Sequence, residues 1–260
     1  MKQKVIYYKD ELNDDFAGTD IHRKPLRPDY EYVFNNRFRR GWAFFAYHFF
    51  AFPLVFILQK IVYREKIVGR KKLRKYKKTG CFLYGNHTRA MGDAYFPAII
   101  AAPNKAYITA GPDAFSIPFV GRIVENLGGL PVPDCLTGMK NYYKGIIEHA
   151  QKGHVIAFYP EAHIWQYYTG IRPFHDSSFF FPAKTGKPAF TYTTTYRKTR
   201  IFKLTQTVVY IDGPFFPEEG LSTTENKKRL RDLCYNAMTE RSKNSTYEKI
   251  KYVKIDEDRL

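Results

Sequence analysis

Five short apolar runs divide the second half of the chain: Cys81–Tyr84 (CFLY), Ala106–Thr109, His154–Tyr159 (HVIAFY), Ala189–Thr195 and Thr207–Ile211 (TVVYI). Each is short, aromatic or β-branched, and bounded by Gly, Pro or polar residues, so each predicts a strand. Between the second and third of these runs the period changes. Met139, Tyr143, Ile146, Ile147 and Ala150 recur at i, i+4, i+7, i+8 and i+11, one face of a helix, and Gly153 follows as its stop. Near the end, Ser222 and Glu225 have capping-box spacing ahead of Leu230, Cys234, Ala237 and Met238, which predicts a last amphipathic helix. Strands alternating with helices predict an α/β domain with a largely parallel central sheet flanked by helices.

One apolar stretch does not fit that alternation. Gly41 to Gln59 (GWAFFAYHFFAFPLVFILQ) is nineteen residues without a charged side chain. That is near the lower limit of about 17 residues for a spanning helix. Pro53 sits in its middle, where proline kinks or breaks a helix, and His48 is costly in hydrocarbon. The stretch therefore predicts an N-terminal membrane-associating helical segment, broken or lying in the interface, with a span and a buried core helix as the other readings. The chain divides into a polar arm (1–36, with Pro25 and Pro28) that wraps the surface, the anchoring segment with its flanks (37–78), and the α/β domain (79–260).

Charge sharpens this picture. The 260 residues hold 42 Lys+Arg against 25 Asp+Glu, a net charge of +17. From Arg37 to Lys78 there are thirteen bases and one acid, Glu65, so this window carries +12 of the total. Basic residues flanking an apolar segment suit an anionic bilayer surface, where each Lys or Arg contributes about 1 kcal/mol. Both flanks are basic, so the positive-inside rule assigns no orientation. Nucleic acid is not the expected partner: the basic run holds one aromatic, Tyr76, and no motif of a nucleic-acid-binding fold. With 44% apolar and 17% aromatic residues, the chain can bury a core and is not a disordered polycation. Three scattered cysteines (Cys81, Cys135, Cys234) imply no disulfide framework and fit a reducing compartment. The first residues lack the apolar region of a cleaved signal peptide.

In parallel sheets function collects at the carboxyl ends of strands. The first run ends in Gly85-Asn86-His87, with Asp93 six positions beyond His87. A carboxylate bonded to one imidazole nitrogen fixes the tautomer and leaves the other nitrogen to accept a proton. A His and an Asp in a strand-to-helix loop are also compatible with a purely structural role. The HVIAFY run leads into Pro160-Glu161-Ala162-His163, where Glu161 is placed to anchor loops, to bond substrate hydroxyls or to cap a neighbouring element. A third group, Arg172-Pro173-Phe174 and then Lys184, Lys187 and Pro188, precedes another strand. Glu161, His163, His175 and Asp176 have no spacing that favours a metal, and no nucleophile elbow, HExxH, CxxC or P-loop is present.

These elements, in this order, resemble the glycerolipid (lysophospholipid/PlsC-type) acyltransferase superfamily over about residues 40–215. Asn86-His87…Asp93 is similar to its N-H-x4-D block, Phe158-Tyr159-Pro160-Glu161 to its hydrophobic-P-E-G block, and Gly186-Lys187-Pro188 to its late block. The resemblance implies a membrane-associated enzyme on the cytoplasmic face of the cell membrane. It would move an acyl chain from acyl-CoA or acyl carrier protein to a hydroxyl of a lysophospholipid or glycerolipid, lysophosphatidic acid being the family's type of acceptor. No cofactor or metal is expected. His87 and Asp93 are the expected catalytic pair, and Asn86, Arg89, Glu161, His163, Arg172 and Lys184 the expected substrate contacts.

The departures are specific. Five residues separate His87 from Asp93 where the family has four. In a regular helix the extra residue would turn Asp93 by about 100°, so the pair requires a non-helical loop or a bulge at Gly92. Gly128-Gly129-Leu130-Pro131-Val132-Pro133-Asp134 carries an acid where a phosphate-binding Arg is expected, and Ala162-His163-Ile164 replaces Gly-Thr-Arg. Arg89, Lys140, Arg172 and Lys184 are the possible substitutes. These departures also motivate a second reading, a non-catalytic membrane-bound lipid-binding protein that retains the fold.

Overall fold

The apolar runs become strands because both of their faces are covered. In the computed structural model, which describes residues 3–16, 25–61, 64–76, 78–89, 92–116, 120–199 and 204–255, β3 (Cys81–Gly85) is buried at every position. Phe82 and Tyr84 point into one core with Ile156, Phe158, Ile146, Phe181 and Leu230. Cys81 and Leu83 point into the other with Val155, Ala157, Phe96, Ile100 and Tyr192. Parts of the polar arm (17–24), Lys77 of the basic run, and Ala90 and Met91 of the His87–Asp93 block lie outside the described residues.

The main sheet has seven strands in the order β2-β8-β7-β3-β6-β4-β5. These are β2 (Lys66–Val68), β3, β4 (Ala106–Ala110), β5 (Gly129–Pro131), β6 (Val155–Phe158), β7 (Ala189–Lys198) and β8 (Thr205–Phe215). The five from β7 to β5 run parallel. β8 is antiparallel to β7, and β2 follows β8 in direction. One face is covered by α6 (Leu136–Gln151), α7 (Phe180–Thr185) and α8 (Thr223–Ser242), and α3 (Phe96–Ala101) packs on the other. The capping box of α8 forms, with Glu225 N–H donating to Ser222 Oγ (3.2 Å) and Ser222 N–H to Glu225 Oε2 (2.8 Å). β2 arises inside the basic window, where Lys66-Ile67-Val68 is too short to give a strand signal. Part of that run therefore belongs to the sheet edge.

The apolar segment forms one continuous helical stretch, α1 (Arg37–Phe45), a π-helical segment (Ala46–Ala51) and α2 (Phe52–Ile61). The break expected at Pro53 does not occur. Proline lacks an N–H and clashes with the carbonyl four residues back. The wider π turn just upstream absorbs both defects, and Phe52 N–H reaches Tyr47 O instead. One face docks on the α/β body through buried Ala43, Tyr47, Val55 and Gln59. The other leaves Trp42, Phe45, Phe49, Phe50, Leu54 and Ile57 exposed.

The arm contributes β1 (Lys4–Tyr8), which pairs in parallel with β9 (Ile250–Lys254) in a separate two-stranded sheet. Farther along, Tyr32 enters the core, and its carbonyl accepts a hydrogen bond from His149 Nε2 (3.0 Å). His149 Nδ1 lies 2.8 Å from His154 Nδ1. Since a carbonyl only accepts, His149 carries its proton on Nε2, and His154 must donate through Nδ1. Burial first, then neighbouring charge, holds both imidazoles down at about 4. Their unfolded counterparts take up protons from about 6.5 downward, so the unfolded state binds more protons between these values. Folding stability is therefore expected to fall as pH drops from 6.5 to 4. A His149→Gln, His154→Gln variant should show a flatter thermal midpoint over that window, and an unchanged slope would refute the assignment.

Candidate active site

His87 stands two residues beyond β3, at the carboxyl end of the parallel strands. Its Nδ1 lies 3.0 Å from Asp93 Oδ2. An ionised carboxylate can only accept, so Nδ1 carries the proton and Nε2 keeps its lone pair. The histidine side chain is 16% exposed, and Asp93 is fully buried. Its ring stacks on Tyr159 with centroids 4.3 Å apart, while the Tyr159 hydroxyl donates to the Asp93 backbone carbonyl (2.6 Å). His87 and Asp93 meet despite the extra residue between them. Thr88 and Arg89 donate backbone N–H groups to Asp93 Oδ2, both at 2.9 Å, and wrap the chain around the carboxylate. The Asp93 N–H in turn donates to the Arg89 carbonyl (3.1 Å).

Asp93 is the hub of a buried charge chain. Burial alone would raise its carboxyl, but the His87 hydrogen bond and the Arg89 charge outweigh that and hold it below the ordinary value. Arg89 Nε donates to Asp93 Oδ1 (3.1 Å), and its Nη1 pairs with Glu65 and reaches Gln59 Oε1 (3.4 Å). Gln59 also donates to the Gly92 carbonyl (3.2 Å). Thus the end of the apolar helix and the residue shortly after it touch the far side of the His–Asp loop. Glu65 and Gln59 were not singled out from the sequence. Glu65 did carry a signal, as the lone acid among thirteen bases.

The other expected contacts fall into place differently. Asn86 is a strut: its Nδ2 donates to Thr194 O (3.0 Å) and its Oδ1 accepts from Thr194 N (2.8 Å). Glu161 anchors the loop that bears His87. It accepts from His87 N (3.0 Å) and Arg172 N (3.0 Å), and pairs with the Arg172 guanidinium at 3.6 Å. Burial pushes its carboxyl up, and Arg172 with the two amides pulls it back. Arg172 is buried, donating to the carbonyls of Glu161, His163 and Glu11 and lying over the Trp165 ring. Arg89 and Arg172, expected to meet substrate, instead neutralise buried carboxylates, because Glu65, Asp93 and Glu161 are enclosed and require a cation. His163 is half-buried, its Nδ1 3.5 Å from Asp15 of the arm. Lys184 is exposed on α7, which precedes β7 and so lies at the amino ends of the strands, opposite His87. Lys140, in the second turn of α6, is exposed and follows the carboxyl end of β5. Among the described residues no cluster of His, Cys, Asp or Glu is arranged to hold a metal.

Two backbone features shape the loops. The ring of Tyr192 occupies the space where a Cβ on Gly85 would stand. Gly85→Ala is expected to displace that ring and cost about 1–3 kcal/mol in denaturant unfolding. A neutral result would mean that the ring has room to yield. Ala162 has φ +63°, the left-handed region, at the position where the resemblance has glycine. Removing its Cβ in Ala162→Gly should relieve about 1 kcal/mol of strain, partly offset by unfolded-chain entropy. A lower melting temperature would contradict this account.

The buried, largely parallel sheet carries the His–Asp pair just beyond its central strand. The family model for acyltransferases matches residues 64–195, which spans β2 to β7, just over half of the sequence, and this chain belongs to the acyltransferase family. Its fold is similar to that of the 1-acyl-sn-glycerophosphate (LPA) acyltransferase PlsC from Thermotoga maritima. The TM-score is 0.51 at 15% identity, over 81% of this chain and 96% of that one. No curated protein sequence matches the chain.

Proposed function

We propose that this protein transfers a fatty acyl chain from a thioester donor, acyl-CoA or acyl carrier protein, to the hydroxyl of a lysophospholipid or glycerolipid acceptor. The observation that carries the reading is the His87 Nδ1–Asp93 Oδ2 contact at 3.0 Å, which leaves Nε2 as the proton acceptor in a partly exposed ring. Nε2 takes the acceptor's hydroxyl proton as its oxygen attacks the thioester carbonyl. The tetrahedral intermediate collapses, the C–S bond breaks, and the departing sulfur receives the proton from the imidazolium. Asp93 orients the ring and holds its proton on Nδ1. Glu161 and Arg172 hold the loop and act as positioning residues. Of the four basic residues named for a headgroup phosphate, Lys140 alone is both exposed and on the carboxyl side of the sheet. This leaves a single candidate cation, which supports acyl transfer more firmly than any one headgroup.

The test is direct. Purified protein with acyl-CoA or acyl carrier protein donor and a panel of lysolipids should yield ester product and free thiol in equal amounts. Failure with every acceptor and both donors would overturn the reading in favour of a lipid-binding protein.

The same proposal places the protein on a membrane, at its cytoplasmic face, where anionic lipid meets the basic collar. The Arg37–Ile61 helix is long and apolar enough to cross a bilayer by length and composition. Its docking supports an in-plane position instead. Tyr47 meets the start of β4 through Ala106 N–H (3.4 Å), and Gln59 meets Gly92 at the other end of the sheet. A helix fastened along its length to a polar body cannot stand across hydrocarbon without drawing that body in, whereas its bare aromatic face suits the interface. Trp42→Ser with Phe45→Ser and Phe49→Ser should abolish flotation with anionic liposomes, and undiminished flotation would refute this orientation.

A further inference from the structure

A cleft of about 630 Å³ lies at the amino ends of the strands, across the sheet from His87. Lys105 and His154, each one residue before a strand, form its floor. Arg40, Ala43, Phe44 and His48 of the apolar helix form one wall. Lys78 and Lys152 complete its basic lining against one acid, Glu125. That acid is already held by Arg39 (3.1 Å), and Lys152 is paired with Glu148 (2.7 Å). Among the described residues, Arg40, Lys78 and Lys105 form no ion pair. Lys105 is the telling group. Its ammonium donates to Asn126 O (2.7 Å) and sits 5.3 Å from the Tyr47 ring centroid and 5.2 Å from that of Tyr107. Burial lowers its pKa to about 8. A cation drawn from water without a counter-charge leaves a site with unused affinity for an anion.

We propose that this cleft binds the phosphate of an anionic membrane phospholipid, as a docking site separate from the His87 centre. The ligand chemistry follows from three cations without carboxylate partners around one concave space. The lipid source follows from the wall. Phe44 is exposed beside the cleft, and Trp42, Phe45 and Phe49 continue the apolar face, so a phosphate held by Lys105 leaves its acyl chains running along that face. This source rests on the membrane reading given above; the anion site itself does not.

The experiment uses the full chain and compares wild type with Lys105→Met, which keeps the side chain's length and removes its charge. Lys228→Met, an exposed lysine on α8, serves as a charge-matched control. Binding is measured to phosphatidylcholine vesicles with and without phosphatidic acid. In parallel, inorganic phosphate is titrated while the melting temperature is followed. The expected result is binding to the anionic vesicles that is roughly tenfold weaker in Lys105→Met and unchanged in Lys228→Met. Inorganic phosphate should raise the melting temperature of wild type but not of Lys105→Met. Acyl transfer in neutral detergent micelles should be the same in all three, because Lys105 lies outside the His87 machinery. Equal vesicle binding by wild type and Lys105→Met overturns the proposal. A phosphate shift without vesicle binding overturns the lipid source and, with it, the membrane reading, while leaving a soluble-phosphate site. Vesicle binding that is lost equally in Lys228→Met shows surface charge rather than a site, and also overturns it.

Discussion

Replacing His87 with alanine is expected to lower the acyl-transfer rate by roughly 10²–10⁴-fold, the range that a positioned general base contributes. The variant is informative because His87 is the outer member of its charge chain. Asp93 keeps its bonds from the Thr88 and Arg89 backbones and from the Arg89 side chain when the imidazole is removed. Stability should therefore change little, and a loss of rate reports on chemistry. The measurement is turnover at saturating donor, with the melting temperature as the check on folding. If turnover survives in a folded His87→Ala protein, another group takes the hydroxyl proton, even though the family assignment stands. A drop in melting temperature comparable to that of a core truncation would instead indicate that the ring's stacking on Tyr159 is its main contribution.

The largest effect on stability is expected at Arg89. Its guanidinium is enclosed with Asp93 on one side and Glu65 on the other, and all three side chains are buried. Arg89→Met leaves two carboxylates facing each other without a cation. Breaking a buried pair in this way costs about 3–5 kcal/mol, a large part of the 5–15 kcal/mol typical of a whole domain. Adding Glu65→Gln should return part of that loss, since one of the stranded charges is then removed. Denaturant unfolding of the two single variants and the double variant gives the coupling. Additive losses, or a cost below about 1 kcal/mol for Arg89→Met, would mean that water reaches the chain and screens it. The same variants bear on function. Arg89 links Asp93 to Glu65 and Gln59 at the end of the apolar helix, so the geometry of the His–Asp pair depends on how that helix is seated.

Much of the fold was legible in local pattern. CFLY and the VIAF of HVIAFY are apolar throughout because each lies between two cores, and that requirement is written in their composition. The capping box at Ser222 and the face from Met139 to Ala150 depend on residues within a turn or two of each other, so spacing alone predicts them. β2, β5 and the β1–β9 pair were not legible. They are three to five residues long and are held by partners far away in sequence, as Lys66 is by Val208.

The site divides along the same line. The sequence by itself determined which residues stand at a strand's end with acid–base chemistry: His87, Asp93 and Glu161 lie within short blocks, and block order identified the family. It could not determine what a basic residue would neutralise. Arg89 and Arg172 look like free phosphate ligands in one dimension, and only the tertiary structure brings Glu65 and Glu161 against them. It also decided that Asp93 reaches His87 despite the extra residue, with the Thr88 and Arg89 amides on its carboxylate, and that Pro53 leaves the helix continuous through a π turn. In each case the deciding term is the cost of burying an unpaired charge or an unbonded backbone group, and burial is a property of the folded chain.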